Sequence, residues 1–485
     1  MDSVALRRLP SVPSLPHQTL LMILPLRRWS PALAAILLAA APVPAQQQAA
    51  TGTALPTPPP SVDPRIFEIV AASSPERIEA DIQKLVSFGT RNTFSDTTSA
   101  TRGIGAARWW IKAEFDRISA ACGGCLDVRY QEAMHGREGR TVNVVNVIAT
   151  LRGTQHPNRY VIMSGDIDSR ASNTLDGETD APGANDNASG VAGVLEAARL
   201  LTRHRFGSSI VFAQLSGEEQ GLWGGQTMAA EAKAQGWEIA AVLNNDMIGN
   251  IEGLDGVIDN TTFRVFSEPI PVGTTEAEHR RHRFYGGEVD GPSRQIARYV
   301  ARITDLYFTN LDAMMIYRLD RFGRGGHHRP FNDQGFPGVR IMETHEQYER
   351  QHQNLRTEDG IKYGDVIEKV DFPYAASLTA VNAATLAALA WAPPAPDTVQ
   401  IGGAVQPSTT LAWTAVDDPN LAGYKVYWRA TTSPQWEESR FVGKVTRHTL
   451  ENIVIDNYLF GVAAVGTNGN ESPVVFPSSL IPRSR

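Results

Sequence analysis

The chain has almost no cysteine, no surplus of basic charge and, beyond its first 45 residues, no uninterrupted apolar run long enough to cross a bilayer. Its two cysteines, Cys122 and Cys125 in the run CGGC, are too few for a cysteine-rich zinc module. In an exported protein their spacing reads as a local disulfide, with a lone thiol pair as the alternative. Lys and Arg number 45 against 52 Asp and Glu, a formal charge of −7. Phosphate contacts need clustered cations, so nucleic acid is set aside as a partner. The same shortage of apolar runs argues against stable membrane insertion.

The first 45 residues are different in kind. Arg27-Arg28 precedes apolar residues 31–43, and Val43-Pro44-Ala45 has the small-x-small form of a cleavage site. Residues 1–45 therefore read as a signal peptide, with Met22 an alternative start, and the chain as exported, secreted or periplasmic. Residues 46–62, rich in Gln, Thr, Ala and Pro, can bury little and read as a disordered leader. At 485 residues the chain calls for two or three domains. The oligomeric state is not written in it.

Helical patterns run from Ser74 to Leu85 and from Ile104 to Ile118, and strands are expected from about Val142. Apolar runs at 160–163, 210–215, 240–243 and 339–342 then alternate with helical stretches. One of these has Val191, Val194, Leu195, Ala198 and Leu201 on a single stripe, with Asn187 or Ser189 able to cap it. The Ala- and Leu-rich residues 373–391 close the pattern. The fold class is α/β, with a mostly parallel central sheet flanked by helices over residues 63–392. A proline-rich linker at 391–396 leads to short alternating strands at 411–413, 423–429, 441–445 and 458–465. Residues 397–485 thus form an all-β immunoglobulin-like sandwich, and Trp413 with the runs GYKVYWR and YLFGVAAV resembles a fibronectin type III domain.

The first three apolar runs end in acid: Asp166 and Asp168 in SGDIDS, Glu218 and Glu219 in SGEEQGLWG, Asp246 in NNDM. A fourth acid, Asp186, stands in PGANDNASG just before the helix at Val191. Ligands of open α/β sheets sit at the carboxyl ends of the strands, so these acids should converge. Any one of them alone would pass as a turn or a cap. Crowded together they repel unless protonated or neutralised, which makes a metal cluster the economical explanation. A nitrogen ligand is then wanted from His327, His328, His345 or His352. His204, in TRHRF, reads as a favourable charge at a helix end.

In this order, these motifs resemble the co-catalytic zinc aminopeptidases, a family that also holds glutaminyl cyclases and the glutamate carboxypeptidase type. The resemblance covers roughly residues 75–390. It implies that Asp186 bridges two zinc ions, that Glu219 and His352 complete one site and that Asp246 belongs to the other. It implies Glu218 as general base, Asp168 as the acid that orients the site, and a cis peptide between Asp186 and Asn187. His328 matches a histidine that lines the cleft without binding metal, and His345 then falls to a surface loop. The departure is at Asp166, where the family has histidine. One site would be Asp186, Glu219 and His352, a zinc-like mixture. The other would be Asp166, Asp186 and Asp246, whose all-oxygen set is harder and suits Mg²⁺, Mn²⁺ or Ca²⁺ better than Zn²⁺.

Three readings stay open on these residues: a working mixed second site, a single-metal enzyme, and a catalytically impaired binding protein. As an enzyme the chain would be a metal-dependent aminopeptidase acting on peptide substrates, with carboxypeptidase or glutaminyl cyclase activity as alternatives. Residues 250–322, with Phe284, Tyr285, Tyr307 and Phe308, could shape the substrate pocket or serve as scaffold, since Ser293 to Ile303 has helical spacing.

Overall fold

Three helix starts pair a capping side chain with proline. Asp63 accepts from Arg65 N ahead of the helix Pro64–Ala71, Ser74 from Arg77 N ahead of Pro75–Val86, and Asp371 from Tyr374 N ahead of Phe372–Trp391. The computed structural model describes residues 56–482. The signal peptide and residues 46–55 of the leader lie outside the described residues.

Eight strands form the central sheet: β1 (Leu126–Arg137), β2 (Arg140–Leu151), β3 (His156–Asp166), β4 (Ser208–Leu215), β5 (Glu238–Asn245), β6 (Thr262–Ser267), β7 (Asp312–Ile316) and β8 (Gly338–Glu343). Their order is β1-β2-β4-β3-β5-β8-β6-β7. The pairings β3/β4, β3/β5, β5/β8 and β6/β7 are parallel, and β1/β2, β2/β4 and β6/β8 antiparallel. Strand structure begins earlier than Val142 because β1 precedes β2 in a hairpin. As an edge strand β1 buries only Leu126 and Gln131, so its sequence carries almost no apolar signal.

The helix Ala188–Leu201 lies across the sheet with thirteen of fourteen residues buried, and Asn187 caps it by accepting from Gly190 N at 3.0 Å. Its approach to β3 is very close. A Cβ on Gly165 would fall 2.7 Å from the Gly190 carbonyl, so glycine is what seats the helix start against the end of β3. The helix Phe372–Trp391 is long and apolar enough to cross a membrane, yet seventeen of its twenty residues are buried, which makes it a core helix.

Beyond the linker, strands Val399–Gly402, Thr409–Trp413, Leu421–Ala430, Glu438–Gly443, Arg447–Leu450, Tyr458–Gly466 and Ser479–Leu480 form sheets of four and three. They close on a shared core of Val399, Leu411, Trp413, Tyr424, Val426, Phe460 and Val462. The strand expected over 441–445 stops at Gly443, where φ is +71°. The sandwich is fastened to the helix Pro292–Tyr307. Arg298 Nη1 and Arg429 Nη2 each lie 2.8 Å from the buried Asp290 carboxylate, and Arg302 reaches Glu471 at 2.7 Å. Residues 56–62 of the leader have no regular structure but touch the sandwich, since a Cβ on Gly469 would meet the Pro60 carbonyl.

Residues 250–322 prove largely scaffold. They supply β6, β7 and the helices Glu276–Tyr285 and Pro292–Tyr307. Phe284 is 76% exposed on the first of these helices, and Tyr307 donates nothing to a pocket: its hydroxyl accepts from Asp63 N at 2.8 Å. Cys122 and Cys125 form the local disulfide.

Because Asp290 alone balances two buried guanidiniums across the domain contact, Asp290→Ala should destabilise the protein by about 3–5 kcal/mol. Urea unfolding followed by fluorescence measures it, and Arg302→Lys, which leaves Asp290 untouched, serves as the mild comparison.

Candidate metal centre

β3, β4, β5 and β8 run parallel, and their C-terminal ends deliver the acids to one edge of the sheet. Asp166 is the last residue of β3, and the two-residue strand period sends Asp168 to the same side while Ile167 goes into the core. After β4, Gly217 adopts φ +76° and turns the chain into a short helix that starts with Glu218 and Glu219. Asp168 holds that turn: Glu218 N donates to its Oδ1 and Glu219 N to its Oδ2, both at 3.1 Å. One carboxylate thereby sets the direction of both glutamates.

Asp186 precedes the helix Ala188–Leu201, and its peptide bond to Asn187 is cis. Its backbone N donates to Asp365 Oδ2 at 2.6 Å, and Asn185 N also donates to the Asp365 carboxylate. His352 comes from the loop after β8 at φ +59°. Its Nε2 lies 3.1 Å from Asp186 Oδ2 and 3.2 Å from Glu219 Oε1. Among the described residues, Asp186, Glu219 and His352 are the one set of three histidine or acidic groups whose ligand atoms all lie within 4.8 Å of one another. Two oxygens and one nitrogen at that spacing fit zinc, with bonds of about 2.0–2.2 Å and a fourth position left for water or substrate.

Asp166 and Asp246 do not join them. Asp166 Oδ1 is 2.5 Å from His327 Nδ1, and Asp166 Oδ2 accepts from Asn187 Nδ2 at 2.8 Å. Asp246 is paired with Arg340 at 2.8 Å. The second ion site expected from Asp166, Asp186 and Asp246 is therefore not gathered here. Both missing acids are engaged by nitrogen groups of the protein itself.

Charge in the cluster follows burial. Burial and the carboxylates of Asp246, Glu219 and Asp166 push Glu218 well up. Asp246 is pushed by burial to about 7 even though Arg340 opposes it. Burial moves Asp166 up to about 8 and His327 down to about 4, so that pair tends to its neutral forms. Asp168 rises to about 6 through burial and the nearby Glu219. Burial also works against charge on Asp186 and His352, but here their contact wins. Asp186 is held well below the carboxylate range, and Glu219 and Asp186 raise His352 to about 10.

The other histidines have other work. His328 is fully buried, its Nε2 bonded to the Leu319 carbonyl at 2.8 Å, and it is not part of the cleft wall. His345 is in a loop, 3.9 Å from Asp259. His204 follows the end of the helix Ala188–Leu201 and packs edge-on against Trp391, and burial together with Arg65 lowers its pKa. The cleft, about 510 Å³, is lined by Glu218, Glu219, Asp186, Asp246 and His352, and at its rim by Arg137, Arg170, Arg321, Arg324 and Arg329. None of Phe284, Tyr285, Tyr307 or Phe308 reaches it. Asp365, Arg340 and the rim arginines are absent from a reading of motifs alone. Arg340 did leave a signal: an arginine inside the buried strand GVRIME must find an acid partner.

Removing the one nitrogen ligand by His352→Ala should weaken zinc by more than about 100-fold, the loss typical of a supporting contact, without loss of fold. Dialysis against buffered zinc with circular dichroism measures both. Zinc must displace the proton held on His352, so binding weakens as pH falls below about 10. The slope is about tenfold in affinity per pH unit for each proton displaced, read by calorimetry in buffers of different ionisation heat.

The sequence profile of peptidase family M28 matches residues 146–270. A probable zinc metalloprotease of Leptosphaeria maculans is 42% identical over 422 residues, covering 86% of this chain and 98% of that protein. Another from Pyricularia oryzae is 40% identical over 413 residues, covering 83% of this chain and 82% of its own length. Among solved structures, LapA of Legionella pneumophila is similar in fold, with a TM-score of 0.50 at 18% identity over 68% of this chain and 76% of LapA. With a zinc-suited ligand set at the strand ends and relatives matched over nearly their whole length, the chain belongs to peptidase family M28 and is a zinc metallopeptidase.

Proposed function

We propose that the protein is an exported aminopeptidase that removes N-terminal residues from peptides, with Glu218 as general base. The observation that carries this is the placement of Glu218 beside the ligand set, on a turn whose two backbone N–H groups are held by Asp168. Asp186, Glu219 and His352 would hold the zinc ion, which would supply Lewis acidity for attack of water on the scissile carbonyl. Glu218 takes a proton from that water and returns it to the departing amine. Burial and neighbouring carboxylates raise its proton affinity, which suits both halves of the transfer. Asp168 keeps Glu218 and Glu219 apart in direction, one toward water and one toward metal. Asp246, in the cleft wall, offers negative charge to a substrate's free α-amine. The signal-like residues 1–45 support export.

A second reading has its own support. Five arginines stand at the rim, and Arg329 has a buried Nε without a hydrogen-bond partner, a setting that suits a substrate carboxylate. A carboxypeptidase would use the rim to fix the C-terminus, whereas an aminopeptidase uses the acidic floor to fix the N-terminus.

Peptides with one terminus blocked separate the two. Cleavage should survive C-terminal amidation and stop on N-terminal acetylation; the reverse pattern would establish the carboxypeptidase. Chelation should abolish hydrolysis of aminoacyl-anilides, and Glu218→Gln should lower kcat by about 10²–10⁴-fold while zinc per chain stays unchanged. A Glu218→Gln protein with full activity would remove the base assignment.

A further inference from the structure

We infer that Arg340 is a built-in cation that replaces the second metal ion of this site, so that the catalytic centre holds a single zinc. The inference rests on the metallopeptidase reading and specifies how many ions that site takes.

Arg340 projects from the buried strand β8 with no exposed surface. Its Nη2 lies 2.8 Å from Asp246 Oδ2 and donates to the Asp246 carbonyl at 3.0 Å. Its Nη1 donates to the Gly325 carbonyl at 2.6 Å and reaches Asp320 Oδ2 at 3.2 Å. The position is built for it. A Cβ on Gly326 would stand 3.2 Å from Nη1 and 3.4 Å from Cδ, so glycine leaves the guanidinium its room. An arginine cannot give up its charge in a protein. A divalent ion drawn to Asp246 would have to enter beside a fixed positive charge that already satisfies that acid.

The same loop closes the other half of the position. Residues 320–327 supply Asp320, Gly325 and Gly326 around Arg340, and then His327, whose Nδ1 is 2.5 Å from Asp166 Oδ1. Asn187 occupies the second oxygen of Asp166. The acid that stands where the resemblance calls for histidine is thus turned toward an imidazole and an amide rather than toward an ion. Asp186, Glu219 and His352 remain free of such partners from this loop and keep their common focus.

Metal stoichiometry tests this without reference to activity. The full protein is stripped of metal, reloaded with excess zinc, freed of unbound ion and analysed by elemental and native mass spectrometry. The wild type should hold one zinc per chain, and so should Asp166→His, because Arg340 still occupies Asp246. The double variant Asp166→His with Arg340→Met should hold two. Two zinc ions in the wild type, or in Asp166→His alone, would overturn the inference, as would a folded double variant that still holds one. If the double variant does not fold, the wild-type and Asp166→His counts decide. A wild type that binds no zinc fails differently, because it removes the metallopeptidase reading itself.

Discussion

Carboxylates cannot be packed together in a protein interior without positive charge to hold them, and the active edge of this sheet is arranged around that requirement. Six acids gather there: Asp166, Asp168, Glu218, Glu219 and Asp246 follow the ends of the parallel strands β3, β4 and β5, and Asp186 comes from the start of the helix Ala188–Leu201. Five of them are answered by nitrogen groups, and burial with the neighbouring carboxylates pushes the sixth, Glu218, well up toward its protonated form. Asp168 receives two backbone N–H groups, Asp246 an arginine, Asp166 an imidazole and an amide, while Asp186 and Glu219 share His352. The last pair is the one that fits a metal, because it shares a histidine ligand; its other charged neighbour, Arg170, stands 3.5 Å from Glu219 Oε2.

This division links scaffold to chemistry. The helix Ala188–Leu201 comes close enough to β3 to place Asp186 only because Gly165 and Gly190 carry no side chain. Asp365, from a loop more than a hundred residues downstream, accepts from the backbone N–H groups of Asp186 and of Asn185 before it. Rigidity around Asp186 therefore comes from outside the motif that contains it, a supporting shell of the kind that orients metal ligands generally. Among the described residues, none from the C-terminal sandwich lines the cleft. The sandwich is fixed through Asp290 and Glu471 to the helix Pro292–Tyr307, so the proline-rich linker is not a free hinge.

Much of this was legible before any coordinates. The helices at 75–86 and 372–391 announce themselves through caps and proline, and the buried strands β3, β4, β5 and β8 through short apolar runs. The edge strand β1 and the helix Pro64–Ala71 do not, because neither carries a long apolar signal. At the site, the acids could be named from strand ends and motif order, and the triad Asp186, Glu219 and His352 with them. The aromatics of 250–322 were poor guides to the pocket, since exposure and pattern say nothing about which face of a distant insertion meets the cleft.

Residue order alone determined which apolar runs become buried strands, which acids follow them and where the proline-rich segment interrupts the pattern, since these depend on neighbours within a few positions. Only the tertiary structure decided which acids remain available to an ion. Asp166 meets His327 across 161 positions of chain, and Asp246 meets Arg340 across 94. Local pattern cannot encode such pairings; they exist because parallel strands and one returning loop bring remote side chains to the same edge, where charge must balance.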